Sequence, residues 1–336
     1  MQNKSPLTIF GPDLNEYKDK VDFKVLASKA DFIYLRSSGS GTGKFRVDKK
    51  FIEYAKGCRD YGIPVGAYHF GVPSANISTA DSQCDDFINI LQQGFGQNDF
   101  GDIFPVIDVE IPTNKSITTA QLVGWVDKFR KRFENKTRRK LMIYTGLFFI
   151  KLYDDFKVNG KYPLSNMPIW IAMYSEIKGN PPYPSDAGGW KKWTVWQYTE
   201  KGNLKGVNPP VDLNWGPNNI DYLRIPRDVK NVFATMDKSK IYVSWKKNTD
   251  KDLAGYNIFV NSNYAGTVGK NVNYFSIPLY KFKLMPKKPV EISVEAFDQT
   301  GDFSKNRGKF KIYKSRNDED LKENSMYLVG DVLIRT

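Results

Sequence analysis

The sequence predicts an α/β protein built in two parts, a barrel of eight strands followed by a small all-β sandwich. Three observations predict it. Short runs of β-branched and aromatic residues recur eight times before residue 226. Segments of helical periodicity separate the first five runs, and only short alternating strands follow Pro226.

The runs are Leu7–Phe10, Phe32–Leu35, Val65–Phe70, Phe104–Val109, Leu141–Tyr144, Ile169–Met173, Thr194–Tyr198 and Val211–Trp215. Among the intervening segments, Asp48–Tyr61 sets Phe51, Tyr54, Ala55 and Cys58 on one helical face. Ser78–Phe95 does so with Cys84, Phe87, Ile88 and Leu91, and Thr118–Phe133 with Leu122, Trp125, Val126 and Phe129. Gly62-Ile-Pro64 and Pro163 stop the pattern before the next strands. Alternating strand and helix implies parallel strands joined by crossovers. Past Pro163, Lys178–Trp190 and Glu200–Pro210 are too rich in Gly and Pro to be crossover helices. Five strands followed by helices and three followed by loops fit a barrel better than an open doubly wound sheet. No G-x-G-x-x-G follows the first strand, and Gly39-Ser-Gly-Thr-Gly43 lacks a Walker ending, so it reads as a flexible loop.

From 226 to 315 the strands Lys240–Lys246, Ala254–Val260, Tyr264–Val268, Tyr274–Pro278, Val290–Phe297 and Gly308–Lys314 describe the sandwich. The tail, 316–336, carries the acidic run Asn317–Asn324 and an apolar end. That end reads either as a loose terminus or as an extra strand that pairs with the sandwich or with another chain, a route to self-association or docking.

Composition excludes several function classes. Two Cys among 336 residues rule out a disulfide framework, and a single His, His69, rules out sites built from several imidazoles. His69 reads as a satisfied wall residue, and Cys58 and Cys84 as core thiols. No apolar run is long enough to span a membrane, and the first ten residues lack the apolar segment of a secretory leader. The net charge of +13 suggests a polyanion partner. It is spread, however: residues 1–225 hold 30 basic and 24 acidic side chains, and residues 226–336 hold 20 and 13. Such diffuse charge suits an anionic wall polymer, and no nucleic-acid partner is expected. Lys136–Lys140 and Lys281–Lys288 read as solvated loops.

In a parallel barrel, chemistry sits at the C-terminal strand ends. There the chain offers Asp13, Arg36, Tyr68, Asp108 and Glu110, Tyr144, Trp170 and Tyr174, Gln197, and Asp212 with Asn214. Carboxylates among aromatics describe a carbohydrate site. Asp108 and Glu110, at i and i+2, would share one face of a strand. Two close carboxyls cannot both ionise cheaply, so one becomes a general acid, as glycoside hydrolysis requires. The spacing leaves retention and inversion both open.

These residues resemble a known family. Gly11-Pro-Asp13, Gly66-Ala-Tyr68-His69-Phe70, Asp108-Val-Glu110, Ile143-Tyr144-Thr145-Gly146, Ile169-Trp170-Ile-Ala172, Trp196-Gln197-Tyr198 and Val211-Asp212-Leu-Asn214 occur in the order seen in the glycoside hydrolase family 25 lysozymes, N-acetylmuramidases of phage endolysins and bacterial wall hydrolases. The resemblance spans about residues 7–225 and implies a flattened (β/α)5β3 TIM-like barrel. It also implies cleavage of the β-1,4 bond between N-acetylmuramic acid and N-acetylglucosamine. Glu110 would be the general acid. Asp108 would be either nucleophile or stabiliser of a substrate-assisted intermediate, with Asp13 and Asp212 lining the site. Tyr68, Tyr144, Trp170, Gln197, Tyr174 and Arg36 would bind sugar. No cofactor or metal is implied. Asn15 and the Leu-Arg36-Ser-Ser ending of the second strand depart from the family pattern. Residues 226–315 resemble a fibronectin type III module through Val243-Ser-Trp245, Asp250–Tyr256 and Val294–Asp298, an immunoglobulin/fibronectin-like sandwich serving as spacer or wall-binding unit.

The expected partner is therefore bacterial peptidoglycan, with anionic wall polymers beside it. The expected setting is phage-driven lysis or wall penetration, by a protein made in the host cytoplasm and released through a holin or carried on a virion. The rival expectation is a catalytically idle glycan-binding protein or virion tail component.

Overall fold

The computed structural model describes residues 1–41, 44–174, 183–284, 288–313, 326–329 and 332–335. Outside them lie Thr42 and Gly43 of the Gly-rich loop, residues 178–182 of the Gly/Pro-rich segment, 285–287 of the Lys281–Lys288 stretch, and the acidic run of the tail. The chain divides into two compact units, Met1–Arg224 and Ile225–Thr336.

The first unit is a mixed α/β closed barrel. In chain order its elements are β1 (Phe10–Leu14), α1 (Phe23–Leu26), β2 (Ile33–Gly39), β3 (Arg46–Val47), α2 (Phe51–Asp60), β4 (Val65–Phe70) and α3 (Ser78–Phe95). There follow β5 (Val106–Asp108), α4 (Thr119–Thr137), β6 (Met142–Gly146), α5 (Leu147–Leu152), β7 (Ile169–Ala172), β8 (Val195–Gly202) and β9 (Val211–Trp215). The strand order is β1-β9-β8-β7-β6-β5-β4-β2, and a β1–β2 pairing closes the ring. The short β3 folds back on β2 as a hairpin beyond the ring, with Ser38 opposite Val47 and Gly39 opposite Arg46.

Side-chain alternation sorts the strands into two faces. Tyr34, Tyr68, Val106, Met142, Tyr144, Trp170 and Val195 point inward, and Phe32, Ile103, Phe104 and Leu223 join them to fill the barrel. Ile33, Leu35, Val65, Ala67, Ile107, Ile143, Ile169 and Ile171 point outward beneath the apolar stripes of α2, α3 and α4. The predicted helix faces are the buried ones, including the free thiols Cys58 and Cys84. A capping box closes the start of α4: Thr118 accepts from the Gln121 N–H, and the Gln121 side chain accepts from the Thr118 N–H.

The barrel corrects the sequence reading in three places. Strand one lies at Phe10–Leu14 rather than Leu7–Phe10, so Asp13 is within it. Strand four ends at Asp108, so Glu110 follows the strand instead of sharing its face. The last strand runs antiparallel to both neighbours, β8 and β1. The connection 203–210 is too short for a parallel crossover, which takes a dozen or more residues.

The second unit is all-β. One sheet has the order β10 (Lys230–Met236), β11 (Lys240–Lys246), β14 (Tyr274–Pro278); the other has the order β13 (Asn263–Gly269), β12 (Leu253–Val260), β15 (Pro289–Asp298), β16 (Gly308–Tyr313). Val243, Trp245, Tyr256, Ile258, Val290, Ile292 and Val294 are among the residues that fill the space between the sheets. Strand β10 escaped the sequence reading because polar residues mask the alternation of Val232 and Ala234. In the tail, β17 (Met326–Val329) and β18 (Val332–Arg335) pair with each other as a hairpin.

Gly11 sets how closely β1 approaches β2. A Cβ there would lie 2.1 Å from the Phe32 carbonyl oxygen, a backbone atom that cannot rotate away. Gly11→Ala is expected to cost about 1–3 kcal/mol in thermal or urea unfolding, by forcing the two strands apart.

Candidate active site

The mouth of the barrel holds a cavity of about 270 Å³. Of the residues singled out at the strand ends, Asp13, Asp108, Glu110, Asp212, Tyr68, Tyr144, Trp170, Tyr174, Gln197 and Arg36 line it, and Asn214 lies behind it, bonded to Asp13. The parallel strands deliver their residues from C-terminal ends. Asp212 arrives differently, from the start of β9, because reversal of that strand puts its beginning at the same rim. Its register partner is Asp13 on β1.

Asp13 sits at the centre of a hydrogen-bond network and is only 4% exposed. Gln197 Nε2 and Asn214 Nδ2 each donate to its Oδ2 at 2.9 Å. The carbonyl side of each amide is committed elsewhere. Gln197 Oε1 accepts from the Tyr144 and Tyr174 hydroxyls at 2.8 and 2.7 Å, and Asn214 Oδ1 accepts from Trp170 Nε1 at 2.8 Å. With its oxygen occupied, each amide can only present N–H to the carboxylate. Asn214 also donates to the Gly11 carbonyl, which ties the network to the β1 backbone.

Trp170 is the floor of the site, 1% exposed, with ring centroids of Tyr34 and Tyr144 at 4.7 and 4.9 Å. Tyr174, at the rim, is half exposed and offers an open aromatic surface. Asp108 is buried and its Oδ1 makes no hydrogen bond within the described protein, so it is open to a donor from a ligand. Arg36 is held by Asp48 at 2.9 Å and lies across the Tyr17 ring.

Burial of four carboxyls in one cavity pushes all of them toward the protonated form. Desolvation raises Asp13, against the lowering effect of its amide donors. Desolvation raises Asp108 well above the usual carboxylate range, helped by Glu110 and Asp13 and opposed by Arg36. Glu110 is raised by desolvation and then by Asp13. Asp212 is pushed up to about 8 by desolvation and then by Asp13. Asp13, with two fixed amide donors, is the best seat for negative charge. The protons gather on its neighbours.

Three lining residues escaped the list of candidates. Glu200 lies on β8 beyond the expected end of strand seven, carried to the rim by register shifts between Gln197 and Gly202. Phe70 and Asn15 also line the cavity. Bulges leave no composition signal, which is why Glu200 was missed. His69 does not reach the cavity. It faces the helices between Phe45, Phe87 and Phe129, is bonded to Ser38 and Gln83, and burial lowers its pKa to about 4.

A carboxyl raised in the folded state stabilises most when protonated. The Asp212 contribution is full below its ordinary range near 4 and is lost as pH rises toward about 8. Asp212→Asn is therefore expected to be neutral to thermal stability near pH 3.5 and to raise it by about 1–3 kcal/mol at pH 8. Melting curves across that range test the sign.

Residues 12–207 match the model of glycosyl hydrolases family 25. Among solved structures, the chain is 58% identical to the spore cortex lytic enzyme SleM of Clostridium perfringens, covering 93% of this chain and 100% of that one, with a TM-score of 0.91. It is 26% identical over 209 residues to lysozyme M1 of Streptomyces globisporus, covering 61% of this chain and 66% of that one. It is 28% identical over 205 residues to an N,O-diacetylmuramidase of Arthroderma benhamiae, covering 59% and 80%. An acid-lined aromatic cavity at the mouth of a closed barrel, with these likenesses, leaves one conclusion: the chain belongs to glycosyl hydrolases family 25 and is an enzyme of the muramidase type.

Proposed function

We propose that the enzyme cleaves the β-1,4 bond between N-acetylmuramic acid and N-acetylglucosamine in peptidoglycan, with Glu110 as general acid. The observation that carries this reading is the raised, partly exposed Glu110 beside the buried Asp108, whose Oδ1 makes no hydrogen bond, in one cavity. Glu110 keeps its proton until a glycosidic oxygen reaches it. As that bond breaks, positive charge grows on the sugar, and Asp108 faces it. A growing cation, or an acetamido N–H on Oδ1, favours the ionised form of Asp108 that burial disfavours. Asp108 acts either as nucleophile or as the group that steadies an acetamido-assisted intermediate. Asp13 and Asp212 line the site, and Tyr68, Tyr144, Tyr174 and Gln197 bind the sugar hydroxyls and ring faces.

Spore cortex is the proposed wall, since the likeness to a spore cortex lytic enzyme runs through both units of the chain. The phage setting rests on sequence resemblance alone, and the cortex takes its place in this reading. The second unit is proposed as a fibronectin-like spacer or wall-binding module. Its sheets of three and four strands and the Trp245–Tyr256 ring contact at 5.2 Å support that.

Purified cortex and vegetative peptidoglycan, digested and followed by reducing ends and product mass, test the proposal. Wild type should release fragments ending in reducing N-acetylmuramic acid, faster from cortex. Glu110→Gln should lower the rate about 10³-fold with the melting curve retained. Fragments ending in reducing N-acetylglucosamine would overturn the bond assignment.

A further inference from the structure

Beside the acidic cavity lies a second one of about 200 Å³ with the opposite charge, lined by Arg36, Lys44, Arg46, Asp48, Gly39 and Phe70 among others. The two share Arg36 and Phe70 as a common border. Its wall is the β2–β3 hairpin, which extends the barrel rim on one side only. The two carboxylates nearest its cations are fully engaged. Asp48 accepts from Arg36 Nε at 2.9 Å and from the backbone N–H groups of Glu16 and Lys50 at 3.0 Å. Glu16 accepts from the Lys49 N–H at 2.9 Å and from Arg46. These contacts hold the guanidinium groups in place without using all their donors. Arg36 Nη2 is enclosed, lies 3.5 Å from Glu16 Oε1, and makes no hydrogen bond. Lys44 has no ion pair among the described residues, which leaves three cations against two carboxylates around one pocket.

An occupant touching both cavities would need a neutral glycan where the acids stand and an anionic arm on the other side of Arg36. We propose that this pocket is a specificity site for the carboxylate carried on the lactyl arm of a muramyl residue. This rests on the muramidase reading above and deepens it. The carboxylate is either the free lactyl acid or one borne by a peptide attached to it. Both present the same anion to the Arg36 side of the pocket and to the Lys44 ammonium, and a fixed guanidinium beside an unpaired ammonium suits either.

The test compares wild type with Lys44→Ala and Lys44→Glu on three substrates: peptide-free glycan strands with free lactyl carboxylates, the same strands with those groups amidated, and strands bearing stem peptides. The expected result is a loss of kcat/KM of about tenfold for Lys44→Glu on carboxylate-bearing strands, carried by KM, shrinking with added salt and absent on amidated strands. A loss confined to peptide-free strands identifies the lactyl acid as the ligand, and one confined to peptide-bearing strands identifies the peptide. An equal loss on all three substrates, or none on any, overturns the proposal. Failure of wild type to cleave any of them overturns the muramidase reading instead.

Discussion

The site depends on one constraint, a buried carboxylate at Asp13 that two amides must hold in a single orientation. Gln197 and Asn214 come from adjacent strands, and each is turned the right way by an aromatic donor on its oxygen. The inward-facing aromatics of the barrel therefore have two duties. They fill the interior, and through Tyr144, Tyr174 and Trp170 they set the hydrogen-bond polarity of the ring around Asp13. Replacing Trp170, or both tyrosines together, with hydrocarbon of equal volume would free an amide to turn. A buried acceptor left facing an amide oxygen costs more than the lost contact itself.

Burial pushes Asp13 and its neighbours alike toward their protonated forms, and the mutual repulsion of the carboxyls adds to it. Asp108, Glu110 and Asp212 come from β5, the loop after it and the start of β9, yet one local field acts on all of them. Arg36 on β2 opposes that field from the side. It is itself held by Asp48 and Glu16, so it does not collapse onto the cavity carboxyls and neutralise them. Arg36 is braced by carboxylates of its own on the far side from the acids.

Much of this was legible in the sequence. Strand-end residues announced themselves by type, since carboxylates, tyrosines and amides rarely follow buried apolar runs without a polar cavity to receive them. Helix faces followed from periodicity, as the burial of Phe51, Phe87 and Trp125 illustrates. What stayed hidden was set by backbone path. Asp212 was placed at the rim on the expectation of a parallel strand, and it is there because β9 is reversed. Glu110 joins Asp108 from the extension just past the strand rather than by the pleat. The bulged stretch of β8 that delivers Glu200 has no compositional marker. The cationic pocket was hidden too, because Arg36 and Lys44 meet only through a hairpin too short to register as a pattern.

The reversed last strand also governs when the enzyme comes into being. Asp13 is among the first residues synthesised, while its partners Gln197 and Asn214 lie 184 and 201 positions later. Until β8 and β9 have left the ribosome, the central carboxylate has no amide to hold it and the ring is open along β1. Helices and early parallel strands can form as they emerge, because their contacts are closer in sequence. The cavity is finished last, in one closing step that supplies Asp212 and locks Asp13 together. A barrel cut short before β8 thus lacks both the amides that hold Asp13 and the carboxyl of Asp212.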